Sequence, residues 1–216
     1  MRLLTGTSGY GYREWKGSFY PVKLPTTEYL RFYAERFPAV EINSSFYNLP
    51  AEAQLAQWLS EAPADFTFVL KAWQQITHRK RLKEIEEPLG AFLKVARVPD
   101  GVRLAFEFRH TSWFEEDVYE ALHARGAALC IAHGEAVDTP MIATAGWGYL
   151  RLRGVDYDEE ALAAWVRRVL DQSWTETFVF FKHEETASGP RLAGRFRELF
   201  DDQASSGRAS ASASSA

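Results

Sequence analysis

Cysteine is nearly absent: among 216 residues only Cys130 carries a thiol. One cysteine closes no intrachain disulfide and builds no Cys-cluster zinc site. That usage points to a reducing compartment, and a cytoplasmic location is expected. No run of about 18 apolar residues exists to span a membrane, so no membrane partner is expected. The opening Met1-Arg2-Leu3-Leu4-Thr5-Gly6 is too short an apolar stretch for a signal peptide. Positive charge is not in excess either: 25 Lys and Arg stand against 29 Asp and Glu, a formal −4. A whole-surface attraction to nucleic acid or anionic lipid is therefore excluded, although a local basic patch is not. The chain has no Gly-x-Ser-x-Gly elbow and no His-Glu-x-x-His pair. Their absence removes the hydrolase serine and the zinc-protease helix. No repeat of fixed period occurs.

Aromatic residues are plentiful, with seven Trp, nine Tyr and fifteen Phe. They imply a large buried interior or an aromatic-lined site. Short apolar runs alternate with amphipathic ones. Strands are predicted at residues 3–7, 40–44, 66–72, 104–108, 128–132, 148–152 and 178–182. Helices are predicted at 26–37, 51–61, 115–124, 159–170 and 190–200, with Gly126 just past the third. Strand–helix alternation of this length means parallel strands covered by helices. A closed β/α barrel and an open doubly wound sheet both fit. The only dinucleotide-like loop, Gly6-Thr7-Ser8-Gly9-Tyr10-Gly11, is not followed by a clear helix, which disfavours the open sheet. One domain is expected over residues 1–200. The Ser- and Ala-rich residues 201–216 have nothing to bury and are expected to be disordered.

Polar residues crowd the ends of six of the seven strands, where barrels carry their sites. Period-two alternation puts Glu41, Asn43, Lys71, Glu107, Arg109, Arg151 and Arg153 on faces opposite the apolar ones. Lys182 or His183 joins them; alternation from sequence does not decide which. Buried charges must be paired or engaged by a ligand. An internal ion-pair network, such as Glu41 with Lys71 and Glu107 with Arg151, is the structural alternative for each residue taken singly. The sum is two acids against four or five bases. That surplus in an acidic protein suggests an anionic ligand, phosphate first. Ser188-Gly189-Pro190-Arg191, opening the last helix, has the composition of a phosphate-binding helix start but also of an ordinary one.

His78, His110, His133 and His183 fall at or just beyond strand ends, near Glu41, Glu107 and Glu184 in the strand order. Such groups can hold zinc or manganese, but no ligand spacing makes the set specific. No cofactor and no metal site is therefore assigned. Cys130 lies mid-strand and is expected to be structural. The Glu41 and Glu107 pair would suit glycoside hydrolysis only at a fitting separation. Trp15, Phe19, Tyr20, Phe46, Tyr47, Trp73 and Trp113 follow strands; they form either a stacking rim or the packing of long loops.

These motifs resemble the YecE-like proteins, a family called domain of unknown function 72. The similar stretches are Thr5-Gly6-Thr7-Ser8-Gly9-Tyr10 with Trp15-Lys16-Gly17-Ser18-Phe19-Tyr20-Pro21, and Val40-Glu41-Ile42-Asn43-Ser44-Ser45-Phe46-Tyr47. Leu70-Lys71-Ala72 with Ile76-Thr77-His78, Glu107-Phe108-Arg109-His110 with Ser112-Trp113, and Tyr149-Leu150-Arg151-Leu152-Arg153-Gly154 complete them. The resemblance spans residues 2–199 and implies a TIM-type β/α barrel without an established reaction. It also implies pocket residues Glu41, Asn43, Lys71, His78, Glu107, Arg109, His110 and Arg151. The chain departs from the family pattern over residues 83–103, where one strand–helix unit is missing and a single helix near 88–95 remains. It departs again at Arg153, where histidine is common, and at Phe181-Lys182-His183-Glu184. A shortened barrel of seven parallel strands is the expectation.

The function expected is an enzyme acting on a phosphorylated or nucleic-acid-derived substrate. Glu41 or Glu107 would be the general base and His110 or His78 the acid. Asn43, Lys71, Arg109, Trp113, Arg151, Arg153, Lys182 and His183 would hold the substrate. The partner expected is thus an anionic small molecule or a nucleic-acid fragment. A non-catalytic module binding the same ligand, and a metal-dependent hydrolase, are the alternatives.

Overall fold

The seven apolar runs form seven strands, each pairing parallel within its own sheet, in a computed structural model that describes residues 1–80, 83–84, 86–95, 103–134, 137–154, 157–182 and 187–213. They are β1 (Arg2–Thr7), β2 (Ala39–Ile42), β3 (Thr67–Leu70), β4 (Ala105–Phe106), β5 (Ala128–His133), β6 (Trp147–Leu152) and β7 (Glu176–Phe181). The helices are α1 (Tyr29–Ala34), α2 (Ser44–Tyr47), α3 (Glu52–Glu61), α4 (Glu86–Val95), α5 (Glu116–His123), α6 (Glu159–Leu170) and α7 (Ser188–Ala213). The expected positions agree within a few residues, because each strand is apolar on both faces and each helix between them is apolar on one.

Where one domain is expected, the chain divides into two compact units. The first holds residues 1–7 and 103–216, the second residues 8–102. Strand pairing explains the split. The first unit is a five-stranded sheet of order β1-β7-β6-β5-β4, in which the N-terminal strand joins the C-terminal half through β7. The second unit has its own two-stranded ladder, β2 with β3.

In the first unit Leu4, Ile131, Leu150, Leu152, Phe180 and Phe181 are wholly buried in the sheet. Leu162, Val166 and Val169 of α6 and Leu192 and Phe196 of α7 are buried with them, with Phe196 edge-on to Phe181 at 5.8 Å. Each such side chain contributes about 1.5–3 kcal/mol of burial. Asp158 caps α6, its Oδ1 accepting from the Ala161 N–H at 2.8 Å. Acids in the first turn and Arg167 and Arg168 in the last complement the helix dipole. Gly126 follows α5 at φ +60, as the sequence predicts. Disorder is expected from residue 201, yet α7 continues to Ala213. A helix already anchored by Leu192, Phe196 and Phe200 propagates into Ala- and Ser-rich chain without a new nucleation cost.

In the second unit the core is aromatic. Trp15, Tyr20, Tyr29 and Tyr33 are buried, and Tyr20 stacks on Tyr29 at 3.8 Å. Phe19 packs edge-on against Trp15 and Phe32. Of the two readings of the post-strand aromatics, packing therefore holds for Trp15, Phe19 and Tyr20. Tyr47 and Trp113 are the ones left exposed. α4 is the one helix expected within residues 83–103. Among the described residues between β3 and β4 no strand occurs; residues 81, 82, 85 and 96–102 lie outside them.

Candidate functional site

In the first unit the site grows from strand register. Ala132 on β5, Arg151 on β6 and Phe180 on β7 are lateral neighbours and share a face. Arg151 is 2% exposed. Glu107 lies one residue past β4, its side chain 16% exposed, and reaches across β5 to accept a short charge-assisted hydrogen bond from Arg151 Nη1 at Oε2. Its other oxygen accepts from Arg109 Nε at 3.1 Å and Nη2 at 3.0 Å. Both oxygens are therefore held by guanidinium groups. Burial alone would raise the carboxyl's pKa, but the charge and hydrogen bond of Arg151, backed by Arg153 and Arg109, hold it down to about 2. The expected Glu107–Arg151 pair is thus present. A carboxylate that acidic is a poor proton acceptor near neutrality.

The ladder runs one residue past both strands: Arg153 N–H donates to His133 O at 2.9 Å and Lys182 N–H to Leu152 O at 3.3 Å. Period two then places Arg153 and Lys182 on the Arg151 face. This settles for Lys182 the choice that sequence alternation leaves open; His183 lies outside the described residues. His133 is on the opposite face. Its Nδ1 is 2.7 Å from Tyr157 Oη, and its ring meets Trp165 of α6 edge-on at 5.2 Å. Tyr157 Oη accepts from the Gly154 N–H at 2.9 Å. Burial pushes that phenol up to about 12. Gly134, at φ +80, admits no side chain, since a Cβ would lie 2.3 Å from Gly154 N. His133 belongs to this helix-facing packing.

His110 caps the 3-10 turn Thr111–Trp113, with Nδ1 accepting from the Ser112 N–H at 3.2 Å. The proton therefore sits on Nε2, on an exposed ring. Trp113, 48% exposed, stacks face to face on Phe108 at 4.8 Å. Phe108 in turn stacks on Phe106 at 6.3 Å. Because Phe106 and Phe108 alternate with Glu107 and Arg109, Trp113 lies on the side of this segment away from the arginines. The structure does not bring it into the charge cluster.

In the second unit Glu41 is 4% exposed on β2. Ser8 Oγ donates a short hydrogen bond to Glu41 Oε2, and the Gly9 N–H donates to Glu41 O at 2.8 Å. Gly9 has φ +96 and lies under the Tyr12 ring, so only glycine fits there. Tyr12 Oη donates to Ser8 O at 2.8 Å. Lys71 N–H donates to Ile42 O at 3.3 Å and extends the β2–β3 ladder, which puts Asn43 and Lys71 on the Glu41 face. Ser45 Oγ lies 2.8 Å from both Ile42 O and Lys71 O, tying the two strand ends together. Lys71 Nζ sits 4.8 Å over the Phe46 ring, and His78 meets the same ring edge-on at 4.9 Å. His78 Nδ1 is 2.8 Å from Thr77 Oγ1. Sequence reasoning missed Ser8, whose signal was its position one residue after a strand and inside the loop weighed as a dinucleotide motif. It also missed Phe46 as the hub for Lys71 and His78.

Among the described residues no three His, Cys, Asp or Glu side chains gather as a metal set; His183 and Glu184 lie outside them. No helix among the described residues is long and apolar enough to cross a membrane.

Comparison with known proteins bears on the whole chain. The family model for a protein of unknown function, DUF72, matches residues 4–98 and 89–214. UPF0759 protein YunF of Bacillus subtilis (strain 168) is 32% identical over 120 residues, which are 52% of this chain and 41% of that relative. The chain's match thus spans about two fifths of that relative's length. A DUF72 family protein of Thermotoga maritima superposes with a TM-score of 0.82 at 24% identity, covering 93% of this chain and 100% of that one. A DUF72 family protein of Enterococcus faecalis gives a TM-score of 0.76 at 16% identity, covering 92% and 95%. These likenesses show a shared fold.

Proposed function

We propose, for a chain that belongs to the DUF72 family, that its first unit holds an anionic ligand at the C-terminal ends of the parallel strands, and that the protein acts on a phosphorylated or nucleic-acid-derived substrate. One observation carries the reading. A single carboxylate, Glu107, is shared by Arg151 and Arg109, with Arg153 close enough to lower its pKa. Three guanidinium groups around one carboxylate leave a surplus of positive charge. Planar guanidinium forks suit phosphate oxygens. Glu107 orients the two arginines and does not act as a base. His110, on an exposed ring next to the Glu107 and Arg109 segment, is the residue of this unit proposed as the general acid. The other carboxylate assigned to acid–base work, Glu41, belongs to the second unit with Ser8, Asn43, Lys71 and His78. The lone Cys130 supports a cytoplasmic setting. The shortened seven-stranded TIM-type barrel is part of the same reading, and an eighth strand formed by residues 83–103 in a measured structure would overturn it.

A non-catalytic binding module is the second reading, favoured by the low pKa of Glu107, which suits charge neutralisation better than proton transfer. The test uses Arg109, whose exposed side chain can go without breaking the Glu107–Arg151 pair. Calorimetric titration with inorganic phosphate and with a phosphorylated sugar is expected to show binding that weakens about tenfold in Arg109→Ala. No binding at about 10 mM of either ligand, or an unchanged affinity in the variant, overturns the reading. A phosphate ester that binds and is converted supports the enzyme; one that binds and returns intact supports the module.

A further inference from the structure

We propose that the second unit carries a binding surface for single-stranded nucleic acid, formed by Tyr47 and the basic turn that follows β3. The chain is acidic overall, yet residues 78–83 read His-Arg-Lys-Arg-Leu-Lys. Residues 8–102 hold 12 Lys and Arg against 11 Asp and Glu, a net +1, while the remainder of the chain is −5. The positive charge is thus concentrated in one short stretch of one unit.

That stretch begins in a π-helical turn, Gln75–Arg79, closed by the Lys80 N–H donating to Gln75 O at 3.0 Å. Such turns are rare and occur often at functional positions. Arg79, Lys80 and Lys83 are exposed, and among the described residues no ion pair engages them. Lys80 Nζ donates to the backbone carbonyl of Glu84 at 2.9 Å, a neutral acceptor. Of the three acids that follow, Glu84 directly adjoins the stretch, while Glu86 and Glu87 occupy the first turn of α4, where they answer the helix dipole.

The same turn fixes the aromatic half. His78 packs edge-on against the Phe46 ring, and Tyr47 meets the same ring at 5.1 Å and 90°. Tyr47 is 62% exposed, a ring held in place but not covered. Lys71 adds its ammonium over Phe46. Positive charge that can track a backbone, in the same turn that holds an uncovered aromatic ring, is the combination that binds unpaired bases. A duplex hides its base faces and would use only the charges. An anionic membrane would need an amphipathic apolar face beside the basic residues. The residues of this surface belong to the second unit and the arginine cluster to the first, so each proposal is tested by its own variants and the two fail separately.

The test is fluorescence anisotropy of a dye-labelled oligothymidine of about a dozen nucleotides, titrated with the full chain at several salt concentrations. The triple variant Arg79→Gln, Lys80→Gln, Lys83→Gln is expected to flatten the slope of log affinity against log salt by about 0.7 per charge removed. Tyr47→Ala is expected to weaken binding about tenfold with the slope unchanged, and Tyr47→Phe to restore it. Arg36→Ala, which removes an exposed charge that caps the end of α1, is expected to change neither. Circular dichroism of each variant checks that the fold is intact. No binding at about 50 mM salt, equal affinity for a duplex of the same length, or an Arg36→Ala effect as large as one of the three charges overturns the proposal. Binding to phosphatidylserine vesicles in place of the oligonucleotide also overturns it.

Discussion

Glu107 in the first unit and Glu41 in the second have opposite surroundings, although period-two alternation gives both the same place near a strand end. Glu107 is gripped through both oxygens by guanidinium groups. Glu41 is more deeply buried and accepts from a neutral hydroxyl, Ser8 Oγ. In the first unit charge neutralises charge, and the cations left over are those proposed to hold an anion. In the second, a hydroxyl, a carboxylate, an ammonium over a ring and an imidazole share a strand end, and the surplus of charge is carried outside it on the following turn. Equal residue types at equivalent positions thus stand in different settings, and the difference lies in the kind of donor each carboxylate finds, guanidinium groups on Glu107 and a hydroxyl on Glu41.

The largest effect expected from breaking this contrast comes from Arg151→Met. It leaves Glu107 part-buried with only the exposed Arg109, and should cost about 3 kcal/mol in denaturant unfolding. A loss below about 1 kcal/mol would mean that Arg109 and Arg153 suffice for Glu107.

Acid comes next. Glu107 titrates near 2 when folded, below its ordinary 4.5. A carboxyl whose folded pKa is depressed stabilises the fold fully above its ordinary pKa and loses that contribution as pH falls toward the folded value. Stability should thus drop by about 2–3 kcal/mol between pH 4.5 and pH 2 from this group. The drop should shrink in Glu107→Gln. Equal acid sensitivity in wild type and variant would place the effect elsewhere.

The smallest effect is expected in the second unit. Ser8→Ala removes a hydrogen bond to a buried carboxylate and should cost about 1–2 kcal/mol in the same unfolding measurement. A cost as large as that of Arg151→Met would erase the contrast between the two carboxylates.

Much of this was legible in the sequence. Strand positions follow from short runs apolar on both faces, and the Glu107–Arg151 partnership follows from alternation. Other features depend on pairing between distant segments, which local pattern does not encode. The N-terminal strand pairs with β7, and that divides the chain into two units. His133 looked like a strand-end ligand, but register turns it toward Trp165. Trp113 followed the correct strand but stacks on Phe108, one residue out of phase with the arginines. Trp15 and Tyr20 sit in loops by sequence and in a core by packing, because aromatic loops of this length bury their own rings. Ser8 was read as part of a glycine-rich loop, and its role appears only when Glu41 is placed beside it.

The central claim is that the arginines around Glu107 bind a tetrahedral anion. A crystal of the protein soaked in tungstate tests it most directly, since the anomalous signal of the metal marks the anion without reference to any activity. The account predicts a peak within hydrogen-bond reach, about 3–4 Å, of the guanidinium groups of Arg109 and Arg151. An anion found only elsewhere on the chain, or no anion while Glu107 keeps both arginines to itself, would contradict it.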